Sequence, residues 1–304
     1  MTLSPIKTTL LDTTLLYATL LYATLLCATL FLSPSFAHSK DAAKEIARKV
    51  FDRDRGKSEY SKSLLLSCQF TLKNGKRSCA AAKRKKELES VSLLSLDGKV
   101  RSTLNIVTSP AKDKGIAFLQ KDFEKEKKDS HQWMYLPSLY KAKRIVSEGA
   151  DKPKTGTLFG SEIAYEDIEK TFLSDYSYSL KGDEKVGDLD VFVLESIPSK
   201  TRQKRSSYAK NLLWVDKTSF ITVKSEHYNH SGQLIKSFFA RNISKEKGVY
   251  YANMIIVVNH ENKRMSMMKR RVTKLQLKVP AELLSQRALT DAAFRASLLK
   301  DLRE

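Results

Sequence analysis

CQFTLKNGKRSC, residues 68–79, places an Asn-Gly pair between two runs that suit extended backbone. Asn and Gly both tolerate positive φ, so the pair marks a tight hairpin and makes its flanks antiparallel neighbours. A four-residue loop over 72–75 sets Cys68 directly opposite Cys79, whereas a two-residue Asn-Gly loop sets them diagonally apart. Both registers stay open. The same punctuation recurs outward along the chain. Asp97-Gly98, Lys181-Gly182, Ser231-Gly232 and Lys247-Gly248 fall between stretches rich in Val, Ile, Phe and Tyr. Each therefore reads as a turn between strands.

Alternation supports that reading. Leu212 and Trp214 face one way, Leu213 and Val215 the other. The run VYYANMIIVV (249–258) is almost wholly apolar and is expected to be covered on both faces. Helical spacing appears at both ends. Ala43, Ile46, Ala47, Val50 and Phe51 predict an amphipathic helix over 40–51 that stops near Gly56, and a second helix follows Pro280 with a stripe of Leu289, Ala292, Ala293, Ala296 and Leu299. A short helical insert is expected near 164–173. The expected class is α+β: a single curled antiparallel sheet, a half-open β-barrel of about eleven strands, with helices covering the concave face. No Pro/Gly/Ser-rich linker divides the chain, so residues 38–304 read as one domain.

Residues 1–37 stand apart. LLYATLLYATLLCATLFL (15–32) is apolar and uncharged, and SPSFA follows, with Ser35 and Ala37 at the small-residue positions of a cleavage site. The segment reads as a secretory signal cleaved after Ala37, giving a periplasmic protein. Two alternatives remain: an uncleaved anchor in the inner membrane, and lipid modification at Cys27, although Leu26 stands where a small residue is expected. Export places Cys68 and Cys79 in an oxidising compartment, where a disulfide is expected. The other possibility is two free thiols, and the pair alone cannot hold a metal.

The chain carries a formal net charge of +20. Basic clusters lie at 83–86 (KRKK), 125–128, 200–205 and 269–271 (KRR). Their scatter and the export signal argue against nucleic acid as a partner and leave solvated loops, an anionic membrane face or an acidic partner. Catalytic motifs are missing: no Gly-x-Ser-x-Gly elbow, no dinucleotide-binding glycines, no phosphate-cradling loop. His227 and His230, the only histidines close in sequence, straddle a strand end and a turn and read as exposed polar residues. Glu166, Asp167 and Glu169 read as acids complementing the N-terminal dipole of a short helix. Neither a metal nor a cofactor is expected.

GIAFLQKDF and HQWMYLPSLYKAKRI, within 115–145, together with GTLFGSEIAYEDI (156–168), resemble a family of exported bacterial proteins called outer-membrane lipoprotein-sorting-like, related in fold to the periplasmic lipoprotein carrier. LLWVDKTSF (212–220) and YNHSGQLIKSF (228–238) also fit, so the resemblance spans roughly 45–300. Leu158, Phe159, Glu162 and Ile163 depart from the family pattern, which bears on pocket shape. The resemblance implies a half-open barrel with an apolar hollow for acyl chains. A sixteen-carbon chain in water costs about 13 kcal/mol at ~0.8 kcal/mol per methylene, so a carrier needs apolar walls, not a nucleophile.

On that reading Phe118, Trp133, Tyr135, Leu136 and Trp214 line the hollow. Leu158 belongs to the hollow or its lid, Phe159, Tyr165 and Phe172 form the movable cover, and Arg144 sits near the rim. The partner is a lipid or acylated lipoprotein, handed over at an envelope transporter or membrane surface by a monomer without enzymatic activity. The alternative is an adaptor module whose basic surface docks an acidic partner or anionic membrane.

Overall fold

A computed structural model describes residues 35–124 and 128–304. Most of the signal segment and residues 125–127 of one basic cluster therefore lie outside the described residues. Thirteen strands form one sheet, against the eleven or so expected. Six run from the centre to one edge: β1 (Ser58–Lys73), β2 (Lys76–Leu94), β3 (Val100–Ser109), β4 (Ala117–Phe123), β5 (His131–Leu136) and β6 (Lys141–Ile145). Seven more return from the other edge: β7 (Tyr176–Val186), β8 (Leu189–Pro198), β9 (Lys210–Asp216), β10 (Thr222–Tyr228), β11 (Leu234–Glu246), β12 (Val249–Asn259) and β13 (Arg264–Leu275). Strand β13 pairs antiparallel with β1, joining the two meanders. The sheet is curled and unclosed, with β6 and β7 as free edges. Residues 146–175 must therefore cross a whole face of the sheet to reach β7.

Four turn dipeptides fall between strands as expected, and one does not. Lys73 pairs with Lys76, so the Asn74-Gly75 loop has two residues and Cys79 lies opposite Phe70. A bulge between Cys68 and Phe70 then brings the cysteines within a Cα–Cα distance of 5.7 Å, where they are disulfide-bonded. Lys181-Gly182 is not a turn but a bulge inside β7, and the chain reverses at Gly187. Glycine relieves either geometry, so the dipeptide alone does not separate bulge from turn.

Pair registers define two faces. On the outer face Tyr60, Val91, Leu104, Leu119, Ala117 and Tyr135 pack under Leu283, Leu289, Leu299 and Leu302 of the C-terminal helices. On the inner face Leu65, Leu88, Val107 and Phe118 lie beneath Leu158, Phe159 and Ile163 of the crossing segment. Helix α1 (Ser35–Phe51) shares that inner face at the far end, where Ala43, Ile46 and Ala47 pack on Leu194 and Val215. Burying Ile46 alone contributes roughly 1.5–3 kcal/mol.

The C-terminal helix is not continuous. After the short α2 (Lys200–Gln203) come α3 (Gln286–Thr290) and α4 (Ala292–Arg303), separated by Asp291. The Asp291 carboxylate accepts from the Phe294 backbone N–H at 2.9 Å and so starts a new helix. That restart shifts the apolar stripe. Arg295, Leu299 and Leu302 are buried, while Ala292, Ala293 and Ala296 are exposed. Arg295 donates to the Ala288 and Leu289 carbonyls at 2.7 and 3.0 Å, satisfying the end of α3. The insert near 164–173 is no helix but a single 3-10 turn, Glu166–Ile168, followed by another at Leu173–Asp175.

Candidate functional site

Strand β12 is the apolar run expected to be covered on both faces, yet most of its residues from Tyr250 to Ile256 are only partly buried. The reason is a pair of hollows on the inner face, of about 420 and 410 Å³. They adjoin, since Val50, Thr222, Ala240 and Ile255 line both. Each falls in the range of roughly 300–1,000 Å³ usual for small-molecule sites. Leu213, Phe238, Ala240 and Ile255 contribute apolar wall in the first, and Val50 of α1 reaches over them. Met268, Tyr250 and Ile221 extend the apolar lining in the second, where Arg53, Arg55 and Arg270 add charge. The inner face is filled by α1 at one end and by the crossing segment at the other. Between them the sheet is uncovered.

The wall formed by the crossing segment is polar, and its three acids are engaged. Glu166 accepts from the Ser206 hydroxyl at 2.5 Å and from the Ser207 backbone N–H at 3.1 Å. Asp167 accepts from the Tyr208 phenol at 2.5 Å, the Lys236 ammonium at 2.8 Å and the Ala164 backbone N–H at 2.6 Å. Glu169 pairs with Lys154 at 2.6 Å and with Arg202 at 3.4 Å. Burial, and then the adjacent Asp167 charge, push the Tyr208 phenol far above its ordinary value, so it donates as a neutral group. The three acids are thus not dipole partners of a helix. They staple the crossing segment to α2, to the loop 206–208 that leads into β9, and through Lys236 to β11, a role visible only once residues some forty positions apart are neighbours.

On its other side the segment is held by β4 and β5. Gln120 donates to the Ile168 carbonyl at 2.6 Å, Gln132 to the Tyr165 carbonyl at 3.2 Å, and Ser130 accepts from the Lys170 backbone N–H at 2.9 Å. Tyr165 stacks on Phe118, with ring centroids 5.8 Å apart and planes within 6°. Gly156 lies against that ring: a Cβ there would come within 2.8 Å of Tyr165 Cε2, and its φ of +97° disfavours any other residue. The expected movable cover is therefore a pinned strap.

His227 corrects the sequence reading most sharply. Its imidazole is partly buried, lines the first hollow and contacts Asn211 Oδ1 through Nδ1 at 2.7 Å and Ser225 Oγ through Nε2 at 2.9 Å. Desolvation lowers its pKa to about 4, so the ring is neutral at physiological pH. Among the described residues no group of histidines, cysteines and acids is arranged to hold a metal.

The residues singled out from sequence lie elsewhere. Phe118, Leu158, Phe159 and Tyr165 meet in the inner core beneath the strap. Trp133 and Tyr135 point to the opposite face, under the C-terminal helices. Trp214 shares its face with Val193 and Leu212, donating to Glu184 at 2.8 Å with Lys224 above its ring at 3.7 Å. Leu136 ends β5 partly buried, and Phe172 is partly buried beside the lining residue Thr171. None of these nine lines either hollow. Arg144 is exposed on the edge strand β6, beside a basic depression that includes His131, Lys154 and Arg205. Alternation separates two faces but does not say which one stays open, because here both are apolar.

A family model described as an uncharacterized-protein-like family matches residues 99–291. No curated protein matches the sequence. Among solved structures, the chain is similar to a domain described as an outer membrane lipoprotein-sorting protein from Vibrio parahaemolyticus. Identity is 26%, 83% of this chain and 99% of that one are covered, and the TM-score is 0.69. It is also similar to a DUF1329 family protein from Desulfovibrio piger, with 20% identity, 83% and 99% coverage and a TM-score of 0.71. A LolA superfamily protein from Nitrosomonas europaea gives 22% identity, 80% and 97% coverage and a TM-score of 0.55.

Proposed function

We propose that the chain, which belongs to the family whose model matches residues 99–291 and is similar to an outer membrane lipoprotein-sorting domain, is a non-enzymatic carrier of an acyl chain. The chain would belong to a lipid or to a lipid-modified protein. One observation carries the reading: the adjoining hollows under α1, with apolar walls from Leu213, Phe238, Ala240, Ile255 and Met268. An apolar cavity of this size left open in a fold forfeits packing that neighbouring side chains could have supplied. A reversible apolar occupant accounts for it. The neutral His227 and the engaged acids fit the same role, since they offer polar contacts at the wall without an exposed nucleophile.

The mature protein, freed of residues 1–37, would work as a monomer in the periplasm, loading and unloading at a membrane or an envelope transporter. Among the described residues no helix is long and apolar enough to cross a bilayer. The test is native mass spectrometry of protein purified from membrane-containing lysate, with organic extraction of bound lipid, alongside uptake of a fluorescent acyl probe. Bound acyl species and saturable uptake are expected. Ala240→Phe places a ring where the two hollows meet and should weaken uptake at least tenfold with an unchanged circular dichroism spectrum. A protein that carries no lipid and takes up no probe overturns the proposal. Undiminished uptake by the Ala240 variant moves the acyl chain out of these hollows.

A further inference from the structure

Strands β1 and β2 outrun their neighbours. Pairing of β1 with β13 stops at Gln69, and pairing of β2 with β3 begins only at Glu87. Between those limits the two strands form a ribbon hydrogen-bonded chiefly to itself, from Thr71–Ser78 to Lys73–Lys76. Two-stranded ribbons are marginal alone in water. This one is tied by the Cys68–Cys79 disulfide at its base. Its sequence carries Lys73, Lys76 and Arg77 around the turn, and β2 continues below the disulfide with Lys83, Arg84, Lys85 and Lys86 on the side that β3 leaves unpaired, with no acid over residues 73–86.

Lys73, Arg77, Lys83, Arg84 and Lys85 are exposed. Among the described residues, Lys86 meets Asp113, and Lys85 lies a loose 3.7 Å from Glu87. Beside the turn, Leu72 is 67% exposed, in the middle of these cations. Keeping a stapled, unneutralised basic ribbon costs stability through self-repulsion. Its position at a tip, and not over the hollows, makes it a contact surface.

We propose that the β1–β2 ribbon docks the protein on an anionic phospholipid bilayer, its cations on the headgroups and Leu72 at the interface. Charge complementarity selects this occupant. Cations running from Lys73 at the turn down β2, with one apolar residue at the tip, match a laterally uniform anionic surface. An acidic protein site would call for a buried aromatic or aliphatic anchor cluster, which the ribbon lacks. Each basic residue near such a surface contributes ~1 kcal/mol, so the ribbon alone suffices for reversible attachment. Docking by this end does not depend on whether the hollows hold an acyl chain.

The experiment is co-sedimentation of the mature protein with phosphatidylcholine vesicles and with vesicles containing about one-third phosphatidylglycerol, at low and high salt. Wild type should bind only the anionic vesicles and release in high salt. Replacing Lys73, Arg77, Lys83 and Arg84 by glutamine should weaken partition on the order of a thousandfold, while acyl-probe uptake stays unchanged. A matched variant replacing the exposed lysines 99, 185, 204 and 300 should lose far less. Leu72→Ser, at an exposed position paired with Arg77, should weaken binding severalfold with all cations intact.

Equal loss in the two quadruple variants would assign binding to diffuse charge and overturn the proposal. So would a wild type that ignores anionic vesicles, or one that binds an acidic protein but not vesicles. Because probe uptake and sedimentation are read separately, failure of docking and failure of the carrier reading are distinguishable.

Discussion

Acidification should destabilise this fold through His227, by an amount the structure allows to be worked out. The ring has an ordinary pKa of 6.5 in an unfolded chain and about 4 in the fold. Its open edge faces a hollow lined by Leu213, Phe238 and Ala240 and not bulk water, and both nitrogens are engaged by Asn211 and Ser225. Asp167 nearby favours the charged ring and Lys236 opposes it, but desolvation dominates. Between pH 6.5 and 4 the unfolded state therefore binds the extra proton. Stability falls as pH drops through that window, and the loss is complete below 4. Linkage puts the loss at about 2 kcal/mol between pH 7 and 5, and about 3 kcal/mol in all.

The assay is urea unfolding at pH 7 and pH 5 of wild type and of His227→Gln, whose amide does not titrate. Asp122, His131 and His260 are also displaced from their ordinary values, yet they are common to both proteins and cancel in the difference. Wild type should lose about 2 kcal/mol more than the variant. Equal losses would mean that the folded ring protonates freely. The hollow wall at His227 would then be wet.

Other perturbations probe the strap and the staple. Asp167→Ala leaves the buried Lys236 ammonium unpaired and should cost about 3–5 kcal/mol, with Lys236→Met costing less, both measured by chemical denaturation. Near-additive losses in the double variant would deny the pair its role. Gly156→Ala drives a methyl toward the Tyr165 ring at positive φ and should cost about 1–3 kcal/mol, seen as a lower Tm; a neutral result would mean that the ring moves freely. Replacing Cys68 and Cys79 by serine opens a loop with a sequence separation of 11, worth about 3 kcal/mol by chain entropy. Comparing unfolding midpoints of the oxidised wild type and the variant checks it, and identical midpoints would show that the ribbon is already ordered in the unfolded chain.

Local signals in the sequence were sufficient for the meander. Asn74-Gly75, Asp97-Gly98, Ser231-Gly232 and Lys247-Gly248 each sit at a reversal. The opposition of Leu212 and Trp214 to Leu213 and Val215 is real, since the two pairs belong to different apolar clusters. The break at Asp291 was also legible, because an Asp three residues before Phe294 is a capping signal, but the run of alanines obscured it. What local patterns cannot carry is the choice of face. Trp133 and Met134 are adjacent, and the side that α3 and α4 cover is set by a contact with residues some 150 positions later. His227 was missed for the same reason: Asn211 is brought to it by strand pairing, and no spacing rule links positions 211 and 227.

That non-local division explains why the hollows persist instead of collapsing. Each meander buries its apolar residues against a different cover: α1 over β8 and β9, the strap over β1–β5, and the C-terminal helices on the reverse side. The strap cannot slide toward β12 to fill the gap. Doing so would strip Glu166 and Asp167 of Ser206, Tyr208 and Lys236, Glu169 of Arg202, and Gln120 and Gln132 on β4 and β5 of the strap carbonyls of Ile168 and Tyr165. Each buried polar group left unmatched costs about 1–3 kcal/mol, and more for the charged ones. Closing the hollow would return roughly 25 cal/mol for each Å² of apolar wall removed from water. Several lost charge partners outweigh that return over a wall of this size. The polar staple is therefore what keeps an apolar space open, and a carrier needs both at once.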